Sequence, residues 1–169
     1  MKIIGLIGYS GSGETYFICN SIKYLKKKLD MKVAVIKNIH EHQIDKEGKD
    51  TYKYTQVGAE YAITKNVFDE TAIFIKKKIE IEQIVEWISN GPFKVDLIFI
   101  EGFRNLIYPT ILCIKNYNEI KNQLKDNIKM ISGLICKGCE LSEEYYQNIP
   151  IVDIEKDFKK FILLFDIER

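Results

Sequence analysis

The segment Gly8-Tyr9-Ser10-Gly11-Ser12-Gly13-Glu14-Thr15 constrains this chain more than any other. It has the spacing of a phosphate-binding loop, G-x-x-x-x-G-K-[ST], with Glu14 standing where the lysine belongs. The apolar run Ile3-Ile4-Gly5-Leu6-Ile7 precedes it and reads as a buried strand. A long helical pattern follows. Strand, glycine-rich turn and helix is the context that the motif requires. Glycines let such a backbone curl until its N–H groups point inward at phosphate oxygens, with a helix N-terminus behind them. The segment therefore predicts a nucleotide-type anion site in which one of the usual charges is inverted.

The rest of the chain continues that pattern. Residues 2–8 read as the first strand, and residues 14–30 as a helix with Ile18, Ile22, Leu25 and Leu29 on one face. Lys32 to Lys37 is a second short apolar run, so the opening is a strand-helix-strand unit. A polar stretch from Asn38 to about Asp50 carries both histidines and reads as a functional loop. A short helix is expected over Thr51 to Val57, then strands over Ala59 to Thr64 and Thr71 to Ile75, the latter suited to an edge or hairpin. Ile81, Ile84, Val85 and Ile88 have helical spacing, and Gly91-Pro92 ends that helix. Val95 to Ile100 is a strongly apolar strand finishing in Glu101-Gly102. Further strands are expected at Thr110–Ile114, Met130–Cys136 and Ile149–Val152, and Phe158, Phe161, Ile162 and Phe165 mark a closing amphipathic helix. Strands alternating with helices imply an α/β fold, a mostly parallel sheet with helices on both faces. The two strongly apolar runs, Ile3–Ile7 and Val95–Ile100, belong near its centre. No repeat or linker divides the 169 residues, so the reading is one domain over 1–169.

Composition removes several classes of function. A formal net charge of +1 gives no global pull toward nucleic acid. Lys26-Lys27-Lys28 and Lys76-Lys77-Lys78 read as solvated faces. No stretch is long and apolar enough to span a bilayer, and the N-terminal run is too short for a signal-peptide core, so the expected location is cytoplasmic. The four cysteines, Cys19, Cys113, Cys136 and Cys139, then default to reduced thiols. Cys136-Lys137-Gly138-Cys139 is a lone C-x-x-C with no second pair, and reads as one strand-end and one loop cysteine.

Ligands of open α/β sheets bind at the carboxyl ends of the strands. The first strand delivers the loop residues Gly8, Tyr9, Ser10, Gly11, Ser12, Gly13, Glu14 and Thr15. Thr15 has the position whose hydroxyl binds Mg²⁺ in phosphate loops. The second strand leads to His40, His42 and Asp45. The alternating histidines would face one way in an extended segment, to hold metal or phosphate or to sit idle. Glu101 ends Leu97-Ile98-Phe99-Ile100 as a Walker B acid would, holding Mg²⁺ directly or through water. Thr15 and Glu101 are therefore expected to approach one another.

Several motifs occur in order: Ile7-Gly8-Tyr9-Ser10-Gly11-Ser12-Gly13, Val33-Ala34-Val35-Ile36-Lys37, His40-x-His42, Asp45-Lys46-x-Gly48-Lys49-Asp50-Thr51, Gly58-Ala59, and Asp96-Leu97-Ile98-Phe99-Ile100-Glu101-Gly102-Phe103. Together they resemble the MobB family, the GTP-binding adapter of molybdopterin-guanine dinucleotide biosynthesis. The resemblance covers roughly the first three-fifths of the chain. It implies a P-loop NTPase-like fold, a three-layer sandwich. It further implies a homodimer, GTP and Mg²⁺ as ligands, and a guanylyltransferase as partner. Carried over by position, Gly8 to Thr15 bind phosphates, while Thr15, Asp45 and Glu101 lie at the metal. No residue is assigned a catalytic role, and any hydrolysis is expected to be weak.

Two departures from that family pattern bear on function. Glu14 replaces attraction to phosphate by repulsion, although a carboxylate in the first turn suits the helix dipole. Lys37 and Lys49 are candidates to offset the loss. No Asn-Lys-x-Asp follows a late strand, so guanine preference rests on the resemblance. Three readings follow: a GTP-binding adapter with weak or absent hydrolysis, a pseudo-NTPase scaffold that binds a partner or the cofactor without nucleotide, and an active small NTPase or phosphotransferase.

Overall fold

The computed structural model describes residues 1–137 and 144–167. The C-x-x-C reading therefore lies partly outside the described residues, because it includes Cys139. In chain order the elements are β1 (Lys2–Gly8), α1 (Glu14–Leu29), β2 (Val33–Lys37), α2 (Asp50–Gln56), β3 (Ala62–Lys65), β4 (Thr71–Phe74), α3 (Ile81–Ser89), β5 (Leu97–Glu101), β6 (Thr110–Cys113), β7 (Ile128–Ser132), β8 (Tyr145–Tyr146), β9 (Ile149–Pro150) and α4 (Phe158–Leu164). They form two compact units, one of Met1–Asn38 with Trp87–Arg169 and one of Ile39–Glu86.

The larger unit is built on a five-stranded sheet in the order β2-β5-β1-β6-β7, with every pairing parallel. Both expected central strands are interior, β1 in the middle and β5 beside it. Parallel strands covered on both faces read as continuous apolar runs, and all five β5 residues are buried. On one face, Ile4, Leu6, Leu97, Phe99, Ile111 and Met130 meet Phe17, Ile18 and Leu25 of α1 and Phe158 and Phe161 of α4. Phe17 and Phe161 pack edge to face at 5.6 Å and 83°. On the other, Ile7, Leu112, Ile114, Ile128 and Ile131 gather with Ile120 and Cys136, which belong to short 3₁₀ turns around Tyr117–Glu119 and Leu134–Lys137. This is an α/β, P-loop NTPase-like architecture.

Helix α1 stops where its chemistry says it should. Asp30 adopts a left-handed conformation, its N–H returns to Leu25 and Lys26, and Lys26, Lys27 and Lys28 complement the negative end of the dipole. Lys28 also lays its ammonium 5.0 Å from the rings of Tyr24 and Phe158.

One expected strand is wrong in its second half. The apolar run Met130–Cys136 is a strand only to Ser132, because Gly133 turns the chain with φ 100°. A Cβ there would sit 2.4 Å from Ser12 O, while Leu134 N–H donates to that same oxygen at 2.9 Å. The run is thus bent onto the glycine-rich loop, and its last residues form a 3₁₀ turn.

In the smaller unit, β3 and β4 form an antiparallel hairpin in the register Ala62↔Phe74 to Lys65↔Thr71. The sequence reading started β3 three residues early, at Ala59, where Ala59 N–H instead bonds Tyr54 O behind α2. Asn66 closes the turn, its Oδ1 accepting from the N–H groups of Phe68 and Glu70. The Lys76–Lys78 run is spent locally: Lys77 pairs with Glu60, and Lys78 with Glu80 at 2.7 Å.

Candidate functional site

The loop between β1 and α1 is held from beneath. Ser12 is fully buried, its N–H donates to Tyr9 O at 2.9 Å, and its carbonyl accepts from Leu134. Gly8 is required for this closeness, since a Cβ there would lie 2.1 Å from Ser12 Oγ and 2.6 Å from Cys113 O. Helix α1 begins at Glu14, and Phe17 N–H is the first to reach back, to Gly13 O at 2.9 Å. The amides ahead of it are the unpaired donors of a helix N-terminus, where anions are favoured.

Strand register assembles the charged groups. Parallel pairing sets Glu101 beside Leu6 of β1 on one side and Lys37 of β2 on the other. Lys37 Nζ then donates to Glu101 Oε1 at 2.6 Å, and Thr15 Oγ1 donates to the same oxygen at 3.3 Å. Glu101 is buried, whereas Lys37 is half exposed. The expected approach of Thr15 and Glu101 is therefore present. The pair offers two hard oxygens, the donor type that suits Mg²⁺, a cation that keeps several waters and takes phosphate oxygens for the rest of its shell. Among the described residues no group of three or more His, Cys, Asp or Glu could hold a metal by itself. This donor set fits a metal completed by water and phosphate, not a protein cage.

Glu14 lies within this cluster. Its carboxyl is pushed up to about 7, first by burial and then by the charge of Glu101, with Lys37 and Arg104 pulling the other way. Its Oε1 is buried and has no hydrogen-bond partner. Cys113, on the neighbouring strand, is fully buried and its thiol is held well above the ordinary range by burial and by Glu14. It is a packed side chain and not a nucleophile.

Two cations that the sequence reading missed complete the loop. Arg104, three residues past Glu101, donates from Nη2 to Gly8 O at 2.9 Å and from Nη1 to Gln123 Oε1 at 3.1 Å, with its guanidinium 5.3 Å from the Tyr9 ring. Lys115 follows β6, and its Nζ lies 3.2 Å from where a Cβ on Gly11 would be. The same strand-end position that marks Glu101 marks Lys115, which directly follows the apolar run Thr110–Ile114. Gln123 is buried and far away in sequence, and no local signal marks it.

Asp45 belongs to the smaller unit, where Thr51 Oγ1 donates to its Oδ1 at 2.8 Å and its Oδ2 is buried without a partner. His40 and His42 are exposed in the same unit. Cys136 is a buried thiol, pushed up to about 11 by burial, and its Sγ donates to Val152 O at 3.5 Å. It packs inside the fold but is not at a strand end, because β7 stops at Ser132 and Cys136 lies in the 3₁₀ turn that follows.

Comparison with known proteins bears on this site. A family model described as molybdopterin guanine dinucleotide synthesis protein B matches residues 3–137. A Methanocaldococcus jannaschii protein, provisionally named a molybdopterin-guanine dinucleotide biosynthesis adapter protein, is 34% identical over 136 residues, 78% of this chain and 54% of its own length. A Haemophilus influenzae protein named a molybdopterin-guanine dinucleotide biosynthesis adapter protein is 31% identical over 118 residues, 66% of this chain and 62% of its own. The chain thus matches little more than half the length of these relatives. The crystal structure of Bacillus subtilis MobB superposes with a TM-score of 0.75 at 18% identity, covering 99% of both chains. A MobB homolog from Bacillus stearothermophilus gives 0.66 at 15% identity, over 98% and 97%. At those identities the likeness is one of fold.

Proposed function

We propose that this chain, which belongs to the MobB family, is an adapter of molybdopterin-guanine dinucleotide biosynthesis that binds GTP with Mg²⁺ and hydrolyses it weakly or not at all. Its partner is the guanylyltransferase of that synthesis, and it works in the cytoplasm as a homodimer. The observation that carries the reading is the meeting of Thr15 and Glu101 below a glycine-rich loop that opens a helix. The curated relatives' names supply the pathway.

The loop amides and the α1 N-terminus receive phosphate oxygens. Thr15 and Glu101 would hold Mg²⁺, and Lys37 keeps the Glu101 carboxylate oriented in the meantime. Bound there, Mg²⁺ neutralises charge on the phosphates. Glu14 sets the limit. Two unit charges about 4 Å apart at an effective dielectric near 20 interact by roughly 4 kcal/mol. Replacing the lysine by a carboxyl pushed up to about 7 removes the cation and, to the extent that the carboxyl is ionised, adds repulsion, which costs triphosphate affinity and transition-state stabilisation.

Calorimetric titration with GTP, GDP and ATP, with and without Mg²⁺, tests the reading. Mg²⁺-dependent binding of GTP in preference to ATP is expected. Absence of binding by every nucleotide at millimolar concentration would remove it. The scaffold reading, which keeps the fold and gives up nucleotide, would take its place, favoured by the carboxylate that the chain itself places in the loop. Light scattering at micromolar concentration tests the homodimer, with a monomer mass as the contrary result.

A further inference from the structure

We propose that Lys115 supplies the phosphate-binding cation that the loop lacks at position 14, an inference that rests on the nucleotide-binding reading above. Parallel pairing of β1 and β6 sets Gly8 beside Cys113, so the chain leaving β6 runs at the level of the loop. Lys115 is the second residue past that strand. Its Nζ and Cε lie 3.2 and 3.5 Å from the point where a Cβ on Gly11 would sit, so the side chain reaches over the loop. Its main chain is fixed, since Lys115 N–H donates to Glu119 Oε2 at 3.0 Å.

The other two cations are already committed. Lys37 is spent on Glu101 at 2.6 Å. Arg104 has one arm on Gly8 O and the other on Gln123. Among the described residues neither Arg104 nor Lys115 forms an ion pair, but the Arg104 guanidinium is taken up by Gly8 O and Gln123 Oε1, whereas the Lys115 ammonium reaches over Gly11 from an exposed residue. An ammonium on a flexible stem presents three donors and acts on phosphate as a point charge, the same chemistry that the usual loop lysine provides. The ligand class is the phosphate chain of a nucleoside di- or triphosphate. A purely structural Lys115, with its methylenes covering Gly11, would leave phosphate binding indifferent to its charge.

The test is calorimetric titration of wild type, Lys115→Ala, Lys115→Arg, Glu14→Lys and the Glu14→Lys/Lys115→Ala double variant with Mg²⁺-GTP and with guanosine. Lys115→Ala is expected to weaken GTP binding about tenfold and to flatten its salt dependence, leaving guanosine unaffected. Lys115→Arg should retain most of the affinity. In the Glu14→Lys background the same alanine change should cost much less, because the loop's own cation has been restored. A loss below about twofold in wild type, an equal loss in both backgrounds, or an equal loss for guanosine would overturn the assignment. If Glu14→Lys binds GTP and wild type does not, Lys115 does not replace the missing cation, although the nucleotide site stands. If neither binds, the nucleotide reading fails and this inference fails with it.

Discussion

Glu14→Gln should raise the stability of the nucleotide-free protein at neutral and alkaline pH and leave it unchanged in acid. The carboxyl is pushed up to about 7 in the folded chain, against 4.5 for an ordinary glutamate. Burial is the main cause, and the groups that face it are Glu101, Lys37 and Arg104. Below pH 4.5 both folded and unfolded chains carry the proton, so this group makes no pH-dependent contribution. Between 4.5 and 7 the unfolded chain releases its proton while the folded one retains it. The unfolded state then binds fewer protons, and stability falls as pH rises. Above about 7 both states are ionised and the loss is complete.

The full shift corresponds to about 3.4 kcal/mol at 1.36 kcal/mol per unit. Glu14 is only partly buried, so solvent screening reduces this to roughly 2 kcal/mol. For a chain of this size that is about 4 to 8 °C in Tm. The assay is thermal or urea unfolding of both proteins in EDTA from pH 4 to 8.5. The difference between the two curves cancels every other titrating group. It should be near zero at pH 4 and reach its plateau above about 7.5, with Glu14→Gln the more stable. A difference that is flat with pH, or that favours wild type at pH 8, would refute the argument that Glu14 is a strained carboxylate in the loop.

Gly133→Ala should destabilise by about 2 kcal/mol or more in urea unfolding, since position 133 combines a positive φ with a Cβ site 2.4 Å from Ser12 O. Phe161→Ala, which empties the contact between α4 and α1, should cost about 3 to 5 kcal/mol by the same measurement. Glu101→Gln should abolish the Mg²⁺ dependence of GTP binding in calorimetric titration, leaving only the Mg²⁺-independent part. Ser132→Ala should cost about 1 to 2 kcal/mol, because the buried hydroxyl donates to Val152 O at 2.6 Å and its loss leaves that carbonyl short of a partner.

The parts of this fold that were legible in sequence are those in which local pattern and tertiary role coincide. Ile4–Ile7 and Leu97–Ile100 are continuous apolar runs because they are buried in the interior of a parallel sheet, so their composition announced their interior places. The meeting of Thr15 and Glu101 followed from a single geometric rule, that parallel strands deliver their carboxyl ends to one edge. What escaped was set by contacts between distant segments. Residues 130–136 look like one strand, and only the approach of Ser12 explains why Gly133 breaks it. Lys37 stood out as a candidate cation, but its commitment to Glu101 depends on β2 pairing with β5, a strand 64 residues further along the chain, and local pattern does not name that partner. Arg104 becomes relevant through a bond to Gly8, 96 residues earlier.

Those distant contacts change the meaning of the inverted charge at the loop. Taken from the motif alone, Glu14 makes the site repel phosphate. In the folded unit, Lys37 pairs with Glu101, Lys37 and Arg104 both act on Glu14, and Lys115 stands over Gly11. These cations are opposed by Glu101, by Glu119 at the Lys115 main chain, and only in part by Glu14, whose carboxyl is pushed up to about 7; the α1 N-terminus adds to their side. The cluster therefore still favours an anion, more weakly than a loop with its lysine and from a different direction. A triphosphate bound here would be held by charge from the ends of β5 and β6, whereas the usual lysine reaches it from the helix. On the nucleotide-binding proposal, that arrangement would suit retention of a nucleotide better than its cleavage, because stabilising the transferring phosphoryl group depends on cations positioned at the transition state.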